Sequence, residues 1–488
     1  MNNKKNAISS LILQSTTIIQ GLILPRLILY TFGSETNGLV SSINNLLGFI
    51  SLLEGGLGAV VLAELYGPIE KKEDDKIQGI LGACQSFFSK LTLVFLVYTI
   101  LVAFFYPRYI DTSLSKEGVS VLVLILSMTT VAQYLFSITY RLLLQAEQKL
   151  YIVNYVSAVT ILINTISAAV IIFVFPSIHV VRLCSGIIYM IQPMVYKAFV
   201  EKKFLKENIR KKKQHYILKN RWSGFAQNLA HFVNMNTDVA LITLFMPLQY
   251  VSVYSVHLLV INALRGIVTS VGNSYQSALG KYIAMGDSAQ LKQKFRKFEE
   301  GFWLTGMVLF FCCVLLINPF IQIYTTGITD AEYYQPIFSF VIVIANMIYV
   351  IREPYRLLVL AGGKFKETNF GAFAEAIINL GMSLLLITKF GLIGVAIGTL
   401  VAIAFRLIYL VWYLHGDIIQ LGYASFSPYI VTFIVAFAVN LFVYISWPLK
   451  LNGIIRFFVA GCIVFVAECG VCGLVYWINR RIFQVIKG

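Results

Sequence analysis

The sequence predicts an all-α integral membrane protein with fourteen transmembrane helices: two pseudo-symmetric lobes of six helices and two extra C-terminal helices. Three observations support this fold class. Apolar residues make up 58% of the 488 residues and charged residues only 13%, whereas a soluble domain usually carries about 45–50% and about 25%. The basic residues concentrate on one predicted side of the membrane. The second half of the chain weakly repeats the first.

The apolar segments are long enough to cross a bilayer as helices. A spanning helix needs roughly 20 mostly apolar residues, and lipid admits only structures that satisfy their own backbone hydrogen bonds. Continuous apolar runs at 121–126 and 384–387 do not alternate as the strands of a barrel do. The predicted spans are 7–32, 37–65, 79–105, 117–144, 151–175, 177–199, 222–246, 249–280, 299–324, 336–361, 369–388, 391–414, 427–447 and 454–478.

The distribution of basic residues predicts the orientation. Most of the 39 Lys and Arg residues fall on one side, and the other side carries only Arg108, Lys116, Lys389, Lys450 and Arg456. This is the positive-inside pattern, which places both termini in the cytoplasm. It also accounts for the net charge of +16, so we expect the bilayer as a partner and no nucleic acid.

A basic run at 201–221 divides the predicted lobes. We expect an N-terminal lobe at 1–200 with spans 1–6, a basic cytoplasmic linker at 201–221, a C-terminal lobe at 222–414 with spans 7–12, and the two extra helices with a cytoplasmic tail at 415–488.

An internal repeat relates the two lobes. A shift of 215 residues overlays 140–164 on 355–379 without a gap, and nine of the 25 positions are identical. Both copies enter the membrane in the same direction. Parallel repeats imply a pseudo-two-fold axis along the membrane normal and a substrate site near the midplane between the halves.

Polar stripes mark the first span of each lobe. Span 1 carries Ser10, Gln14 and Thr17 on one helical face, followed by Pro25 and Arg26. Span 7 carries a stripe at the same kind of spacing, formed by Gln227, His231, Asn234 and Asp238. Such stripes line a polar cavity or form hydrogen bonds between helices. Cavity lining is the preferred interpretation.

Ionisable residues inside spans usually face a cavity or a partner, because a charge at the bilayer centre costs about 2.5–3.5 kcal/mol. Glu54 in span 2 and Arg265 in span 8 lie at near-equivalent positions of the repeat. Three arrangements are open. Glu54 and Arg265 form an ion pair across a cleft between the two lobes, Arg265 binds an anionic substrate, or the two side chains pack within one lobe. Arg352 in span 10 precedes Glu353 and Pro354 and is a further candidate for the cavity.

A possible cation site involves three spans. Glu375 and Asn379 share a face of span 11, and Thr399 in span 12 and Asp238 in span 7 fall at compatible depths. Hard cations take oxygen ligands from carboxylates, amides and hydroxyls, so Na⁺ would suit this set. A buried carboxylate can also carry a proton. Ordinary polar packing is the alternative.

No motif for an enzyme is found in the sequence. It has no GxxxxGK[ST] phosphate loop, no HExxH and no nucleophile elbow. We therefore expect a protein that is not an enzyme and has no cofactor apart from a coupling Na⁺ or H⁺.

The segment 24–44 (LPRLILYTFGSETNGLVSSIN), continuing through 52–58 (LLEGGLG), resembles the start of Wzx-like bacterial polysaccharide flippases of the multidrug/oligosaccharidyl-lipid/polysaccharide exporter superfamily. The stretch 392–399 (LIGVAIGT) is similar to a glycine-rich stretch of that superfamily. The resemblance implies a flippase in the bacterial cell membrane. It would carry undecaprenyl-diphosphate-linked oligosaccharide repeat units to the outer leaflet for capsule, O-antigen or exopolysaccharide synthesis, beside a polysaccharide polymerase and chain-length proteins.

The resemblance also implies site residues. Related flippases have an arginine-containing cavity, and Arg26 and Arg265 fall where such arginines are expected. Glu54 stands where relatives offer a cation. The relatives' sodium site uses spans 7, 11 and 12, which matches Asp238, Glu375, Asn379, Val395 and Thr399 by position.

Three alternatives remain open from the sequence. A cation-coupled multidrug exporter of the same superfamily resembles a twelve-span protein with an acidic residue in span 1, where this chain has Arg26. A membrane enzyme such as a polysaccharide polymerase would need a large external loop. A scaffold for polymer assembly would leave the polar stripes unexplained.

Overall fold

The structure is a computed structural model that describes residues 2–54, 57–203, 225–285, 288–417, 427–446 and 453–487, with 449 and 451. These residues form helices and short connections, and no strand occurs among them. The helices are α1 (Asn2–Gly48), α2 (Ser51–Glu54), α3 (Leu57–Lys71), α4 (Asp74–Tyr109), α5 (Lys116–Phe136), α6 (Ile138–Ala146), α7 (Leu150–Val174), α8 (Ile178–Lys203), α9 (Phe225–Phe245), α10 (Leu248–Ala284), α11 (Ser288–Tyr324), α12 (Pro336–Ile351), α13 (Glu353–Ala361), α14 (Phe365–Phe390), α15 (Leu392–Asp417), α16 (Ser427–Ser446) and α17 (Ile454–Lys487).

Twelve apolar stretches within the described residues are long enough to cross a membrane. Within the described residues, every predicted span is largely helical, which confirms the all-α membrane fold. The first stretch, Lys4–Glu54, has 51 residues, more than twice the roughly 20 that one crossing needs. The shorter apolar segment Met235–Phe245 lies on α9. The count of fourteen crossings stays a prediction.

Gly33 divides α1 into two helices. Its backbone has φ 81° and ψ 173°, a conformation that is essentially restricted to glycine. The break falls between the first two predicted spans, 7–32 and 37–65. The second of these is not one helix, however, because α1 ends at Gly48 and the short α2 precedes α3.

The internal repeat is confirmed by the helix boundaries. α6 and α13 both have nine residues and begin 215 residues apart. α7 and α14 also begin 215 residues apart. A residue with positive φ precedes α7 and another precedes α14: Gln148 at 55° and Gly363 at 66°. These two residues are also 215 positions apart. The sequence repeat therefore reflects two copies of one helical pattern.

The chain divides into two compact units. The first unit contains Met1–Phe232 and Pro247–Ser252, and the second contains Val233–Met246 and Val253–Gly488. α9 and α10 thus contribute to both. α8 extends through the first three residues of the predicted linker at 201–221 and ends at Lys203. From residue 204 onward, the linker lies outside the described residues.

Aromatic side chains fill the core of the first unit where α4 packs on α5. Phe88 and Phe95 are fully buried, and their rings lie 5.6 Å and 6.2 Å from the ring of Tyr134. Between helices in a bilayer, such contacts stabilise through van der Waals packing, since lipid is as apolar as the side chains themselves. These contacts hold the unit's helices in fixed register.

Polar and aromatic contacts hold the two extra helices in place within the second unit. The Trp303 ring of α11 stacks on Tyr429 of α16 with ring centroids 5.4 Å apart. The amide of Asn440 in α16 donates a hydrogen bond to the Glu468 carboxylate of α17 at 3.2 Å. This bond gives the Glu468 carboxylate a donor inside an apolar span, where a buried polar group needs a hydrogen-bond partner.

Candidate functional site

A buried polar cluster in the second unit brings together α9, α10, α14 and α15. At its centre, one oxygen of Asp238 accepts hydrogen bonds from the Thr399 hydroxyl at 2.7 Å and the Tyr254 hydroxyl at 2.8 Å. The Asn379 amide donates to the Thr399 oxygen at 3.2 Å. We call these four residues the polar cluster. Three of them, Asp238, Asn379 and Thr399, belong to the predicted cation site.

Two acceptor oxygens of the polar cluster lack a hydrogen-bond partner among the described residues. They are Oδ1 of Asp238 and Oδ1 of Asn379, both buried. An unsatisfied buried acceptor costs about 1–3 kcal/mol, so each of these oxygens is a candidate ligand for a cation or, at the carboxylate, a site for a proton. The Asn379 amide interacts with the Asp238 carboxylate, which places the two oxygens in one neighbourhood.

The donor set of the polar cluster fits a monovalent cation. It offers a single carboxylate and otherwise neutral oxygens, so its charge of −1 matches Na⁺ or a proton. The described residues contain no group of three or more His, Cys, Asp or Glu side chains that would hold a metal ion. Oxygen ligands favour hard cations over softer transition metals.

Close packing of α14 on α15 positions Asn379 and Thr399. A Cβ atom on Gly398 would stand 2.7 Å from the backbone nitrogen of Ser383. Only glycine therefore allows the two helices to approach this closely, as small residues do at helix interfaces in membranes. Gly398 belongs to the 392–399 stretch that carries part of the sequence resemblance.

A second group of residues in the same unit forms an arginine network. Glu375 of α14 forms an ion pair with Arg352 and approaches Nε of Arg406 at 3.7 Å. Arg406 also donates to the backbone oxygen of Thr368 at 3.0 Å. One carboxylate thus holds two guanidinium groups, which join the junction between α12 and α13 to α14 and α15.

Tyr349 extends the arginine network to Arg265. The Arg265 guanidinium carbon lies 3.8 Å from the centre of the Tyr349 ring, and that of Arg352 lies 4.6 Å from it. Stacking of a guanidinium on an aromatic ring is favourable by about 0.5–2 kcal/mol. Arg265 also donates to Oδ1 of Asn346 at 3.2 Å.

The arginine network is positively charged. It contains three guanidinium groups and one carboxylate, which gives a net charge of +2. Arg352 and Arg406 are buried, with 3% and 6% of their surface exposed, whereas Arg265 is only half-buried. Arg265 is therefore the member best placed to meet an external anion, while the other two surround Glu375.

α14 links the two sites. Glu375 and Asn379 lie one helical turn apart on the same face, so one helix places a carboxylate among the arginines and an amide in the polar cluster. Tyr254 interacts electrostatically with both Asp238 and Arg265. The polar cluster and the arginine network therefore share one helix and lie on either side of Tyr254. Glu375 itself contacts arginines, so its predicted role as a cation ligand stays a prediction.

The predicted residues of the first unit have partners within that unit or lie partly exposed. Glu54 interacts electrostatically with Arg141 of α6. Ser10 accepts a hydrogen bond from Asn154 of α7 at 2.9 Å. Gln14 and Arg26 are half-buried on α1. In the span-7 stripe, the side chains of Gln227, His231 and Asn234 lie outside the described part of the structure.

Comparisons with known proteins find similarity of fold. No protein-family model and no curated protein matches the sequence. A structure of the lipid II flippase MurJ, in an inward closed conformation, gives a TM-score of 0.67 at 14% identity, covering 98% of this chain and 98% of that chain. An inward-facing multidrug resistance MATE family transporter of the MOP superfamily gives 0.61 at 13%, covering 84% and 98%. The MATE multidrug transporter DinF-BH, in a ligand complex, gives 0.59 at 16%, covering 86% and 96%.

The chain has the fold of these membrane transporters. The predicted all-α membrane fold is thereby confirmed, and the chain is a multi-pass membrane protein. The narrower resemblance to polysaccharide flippases depends on sequence motifs and stays a prediction.

The predicted site residues did not include four members of the two sites: Tyr254, Asn346, Tyr349 and Arg406. Tyr349 lies three residues before Arg352, which is the spacing of neighbours on a helix face. This spacing weakly indicated that the Arg352 guanidinium contacts the Tyr349 ring. Tyr254 lies 16 residues from Asp238 on another helix. Its contact depends on how α9 and α10 fold back on each other.

Proposed function

We propose that the protein is a flippase for undecaprenyl-diphosphate-linked oligosaccharide repeat units, which it moves from the cytoplasmic to the outer leaflet of a bacterial cell membrane. Transport would proceed by alternating access, coupled to a Na⁺ or H⁺ gradient or to the membrane potential. The product would feed capsule, O-antigen or exopolysaccharide synthesis. The observation that carries the proposal is the net-positive arginine network with its half-buried Arg265 beside the polar cluster.

The arginine network supports an anionic substrate. Arginine binds phosphate with paired, charge-assisted hydrogen bonds from a planar fork. Stacking on Tyr349 fixes the plane of the Arg265 guanidinium, and Asn346 holds one of its nitrogens. The remaining donors of Arg265 would bind a diphosphate. Arg26 on α1 would add a second cation, as the sequence resemblance implies.

The polar cluster supports coupling to a cation. A cation bound by Asp238, Asn379 and Thr399 would satisfy the two unpartnered oxygens and neutralise the carboxylate. α14 would transmit the effect of cation binding to Glu375. The ion pair between Glu375 and Arg352 would then determine how much positive charge remains near Arg265. A unit charge that crosses 100 mV is worth about 2.3 kcal/mol, enough to bias a transport cycle.

The comparisons add support from chain length. The lipid II flippase covers 98% of this chain, whereas the two MATE transporters cover 84% and 86%. The share of this chain that the two MATE transporters leave uncovered is close in size to the segment 415–488, which contains α16 and α17. A lipid-linked substrate is therefore favoured over a free drug.

A multidrug exporter is the second candidate. It is favoured by the match to the multidrug transporter DinF-BH and by the oxygen-rich polar cluster, which would couple equally well to drug efflux. The positive arginine network speaks against it, because a cationic drug would be repelled.

The test uses purified protein in liposomes that contain a fluorescent undecaprenyl-diphosphate oligosaccharide, with lectin access reporting the leaflet. We expect lipid transfer by the wild type, at least about tenfold slower transfer by Arg265→Ala and partial recovery in Arg265→Lys, because lysine keeps the charge but not the fork. Lys76→Ala removes an exposed cation as the matched control and should transfer normally.

Two outcomes would contradict the proposal. Full transfer by Arg265→Ala at normal protein level would remove Arg265 from the mechanism. Cation-dependent uptake of a cationic rhodamine dye without any transfer of the lipid would favour the exporter instead.

A further inference from the structure

A basic cavity lies where α11 begins and α17 ends. It has a volume of about 820 Å³ and is lined by Ala289, Lys292, Gln293, Arg296, Lys297, Glu300, Gly301, Leu304 and Arg480. All of these except Arg480 belong to one face of α11, and Arg480 comes from α17. The cavity is distinct from the polar cluster and the arginine network. We call it the basic cavity.

The charge of the basic cavity is strongly positive. Lys292, Arg296, Lys297 and Arg480 oppose the single carboxylate Glu300, which gives a net charge of +3. Glu300 is already paired with Arg480 at 2.8 Å, which fastens the end of α17 to α11. Arg296 interacts with the buried Glu299. Lys292 and Lys297 of α11 are the other two cationic donors in the wall of the cavity.

The opposite face of α11 explains why these cations collect on one side. Leu291, Phe295 and Phe298 are buried in the core and alternate with the cavity residues at helical spacing. Gly301 widens the cavity, since no atom lies within 4 Å of a Cβ built there. The cavity thus has room for a headgroup-sized anion next to a fixed helix.

The basic cavity lies at the ends of two membrane-spanning stretches. Ala289–Tyr324 begins there and Ile454–Arg481 ends there. The positive-inside pattern predicts that this side faces the cytoplasm. Basic pockets between transmembrane helices on that side bind the headgroups of anionic lipids.

Apolar surface continues from the basic cavity along α17. Val459, Val466 and Trp477 recur on the face of α17 that carries Arg480 and expose 57%, 70% and 51% of their surfaces. Trp477 also stacks under the Arg481 guanidinium at 3.8 Å. An acyl chain would lie against such residues while a phosphate meets the lysines. A soluble anion would use only the charged part of this surface.

We propose that the basic cavity is a binding site for the phosphate headgroup of an anionic phospholipid whose acyl chains lie along α17. Lys292 and Lys297 bind the phosphate oxygens, Arg296 adds a third cation, and Arg480 stays paired with Glu300. The bound lipid stabilises the contact of α17 with α11. This site is independent of the proposed flippase activity.

Native mass spectrometry of the purified full-length protein tests the site. Dioleoyl phosphatidylglycerol and dioleoyl phosphatidylcholine, which share acyl chains, are titrated separately. We expect the wild type to bind phosphatidylglycerol several-fold more tightly. The triple variant Lys292→Gln/Arg296→Gln/Lys297→Gln should bind it about tenfold or more weakly, because each basic residue contributes to attraction of an anionic lipid. The control Lys71→Gln/Lys72→Gln/Lys76→Gln, which removes equal charge elsewhere, should keep wild-type affinity.

A second variant keeps all the charges. Gly301→Trp fills the cavity where nothing opposes a side chain, so it should fold and yet bind phosphatidylglycerol more weakly. It carries the test if the triple variant does not fold. Equal affinity of wild type, triple variant and Gly301→Trp would overturn the site. Displacement of the lipid by inorganic phosphate at the same concentration would overturn its assignment to a lipid. Loss of phosphatidylglycerol binding with unchanged lipid transfer would leave the flippase proposal intact.

Discussion

The carboxylate of Glu375 forms an ion pair with the guanidinium of Arg352 inside the second unit, where only 9% and 4% of the two side chains are exposed. The same carboxylate faces Arg406 at 3.7 Å. The junction between α12 and α13 therefore meets α14 and α15 at one negative charge. Because Asn379 of the polar cluster lies one turn further along α14, this ion pair connects the two candidate sites.

Removal of this carboxylate is expected to destabilise the protein strongly. Glu375→Gln leaves Arg352 and Arg406 buried without their counter-charge, and breaking a buried pair in this way costs about 3–5 kcal/mol. Glu367→Gln on the same helix breaks an exposed pair with Lys364 and should cost about 0–1 kcal/mol. Thermal unfolding in detergent compares the two variants. Equal unfolding midpoints would contradict the structural importance of the buried pair.

Sodium is expected to stabilise the protein through Asp238. A ligand at a hundred times its Kd stabilises the folded state by about 2.7 kcal/mol, so NaCl should raise the unfolding midpoint above that in KCl at equal ionic strength. Asp238→Asn should abolish the difference, because it removes the only carboxylate of the polar cluster. Asp111→Asn, which changes an exposed carboxylate, should keep it. No difference between the salts in the wild type would rule out Na⁺ and favour the proton.

Replacement of Gly33 is expected to strain α1. Its φ of 81° with ψ of 173° is essentially closed to residues with a Cβ, and such strain costs about 1–3 kcal/mol. Gly33→Ala should therefore lower the unfolding midpoint. Gly21→Ala lies on the same helix with no atom near the new methyl group and should be neutral or slightly stabilising, since alanine favours helix. An equal effect of the two changes would show that the bend at Gly33 needs no glycine.

The bond between Asn440 and Glu468 gives a prediction with a built-in rescue. Asn440→Leu leaves the buried Glu468 carboxylate without its amide donor and should cost about 1–3 kcal/mol. The double variant Asn440→Leu/Glu468→Leu replaces both partners by apolar groups and should recover most of that loss. Unfolding midpoints of the single and double variants measure this. A double variant less stable than the single one would mean that the pair does more than satisfy its own polar atoms.

The sequence by itself determined the class of the protein and its repetition. Backbone in lipid must satisfy its own hydrogen bonds, so each spanning segment is a long apolar helix. The positions of the helices could therefore be predicted without knowing any contact between them. The repeat followed from identities spaced by 215, and the helix boundaries at α6 and α13 confirm it. Asp238, Asn379 and Thr399 were found because polar residues stand out in apolar spans.

Only the tertiary structure decided which of these polar residues meet. Glu375 shares a helical face with Asn379, which pointed to a common cation site, yet its carboxylate contacts Arg352 and Arg406. The Tyr254 hydroxyl reaches Asp238 from another helix. Spacing along a helix fixes which side chains share a face, but not which neighbouring helix packs against that face. That choice depends on the close approach of α14 to α15 at Gly398 and on the fold of the whole unit.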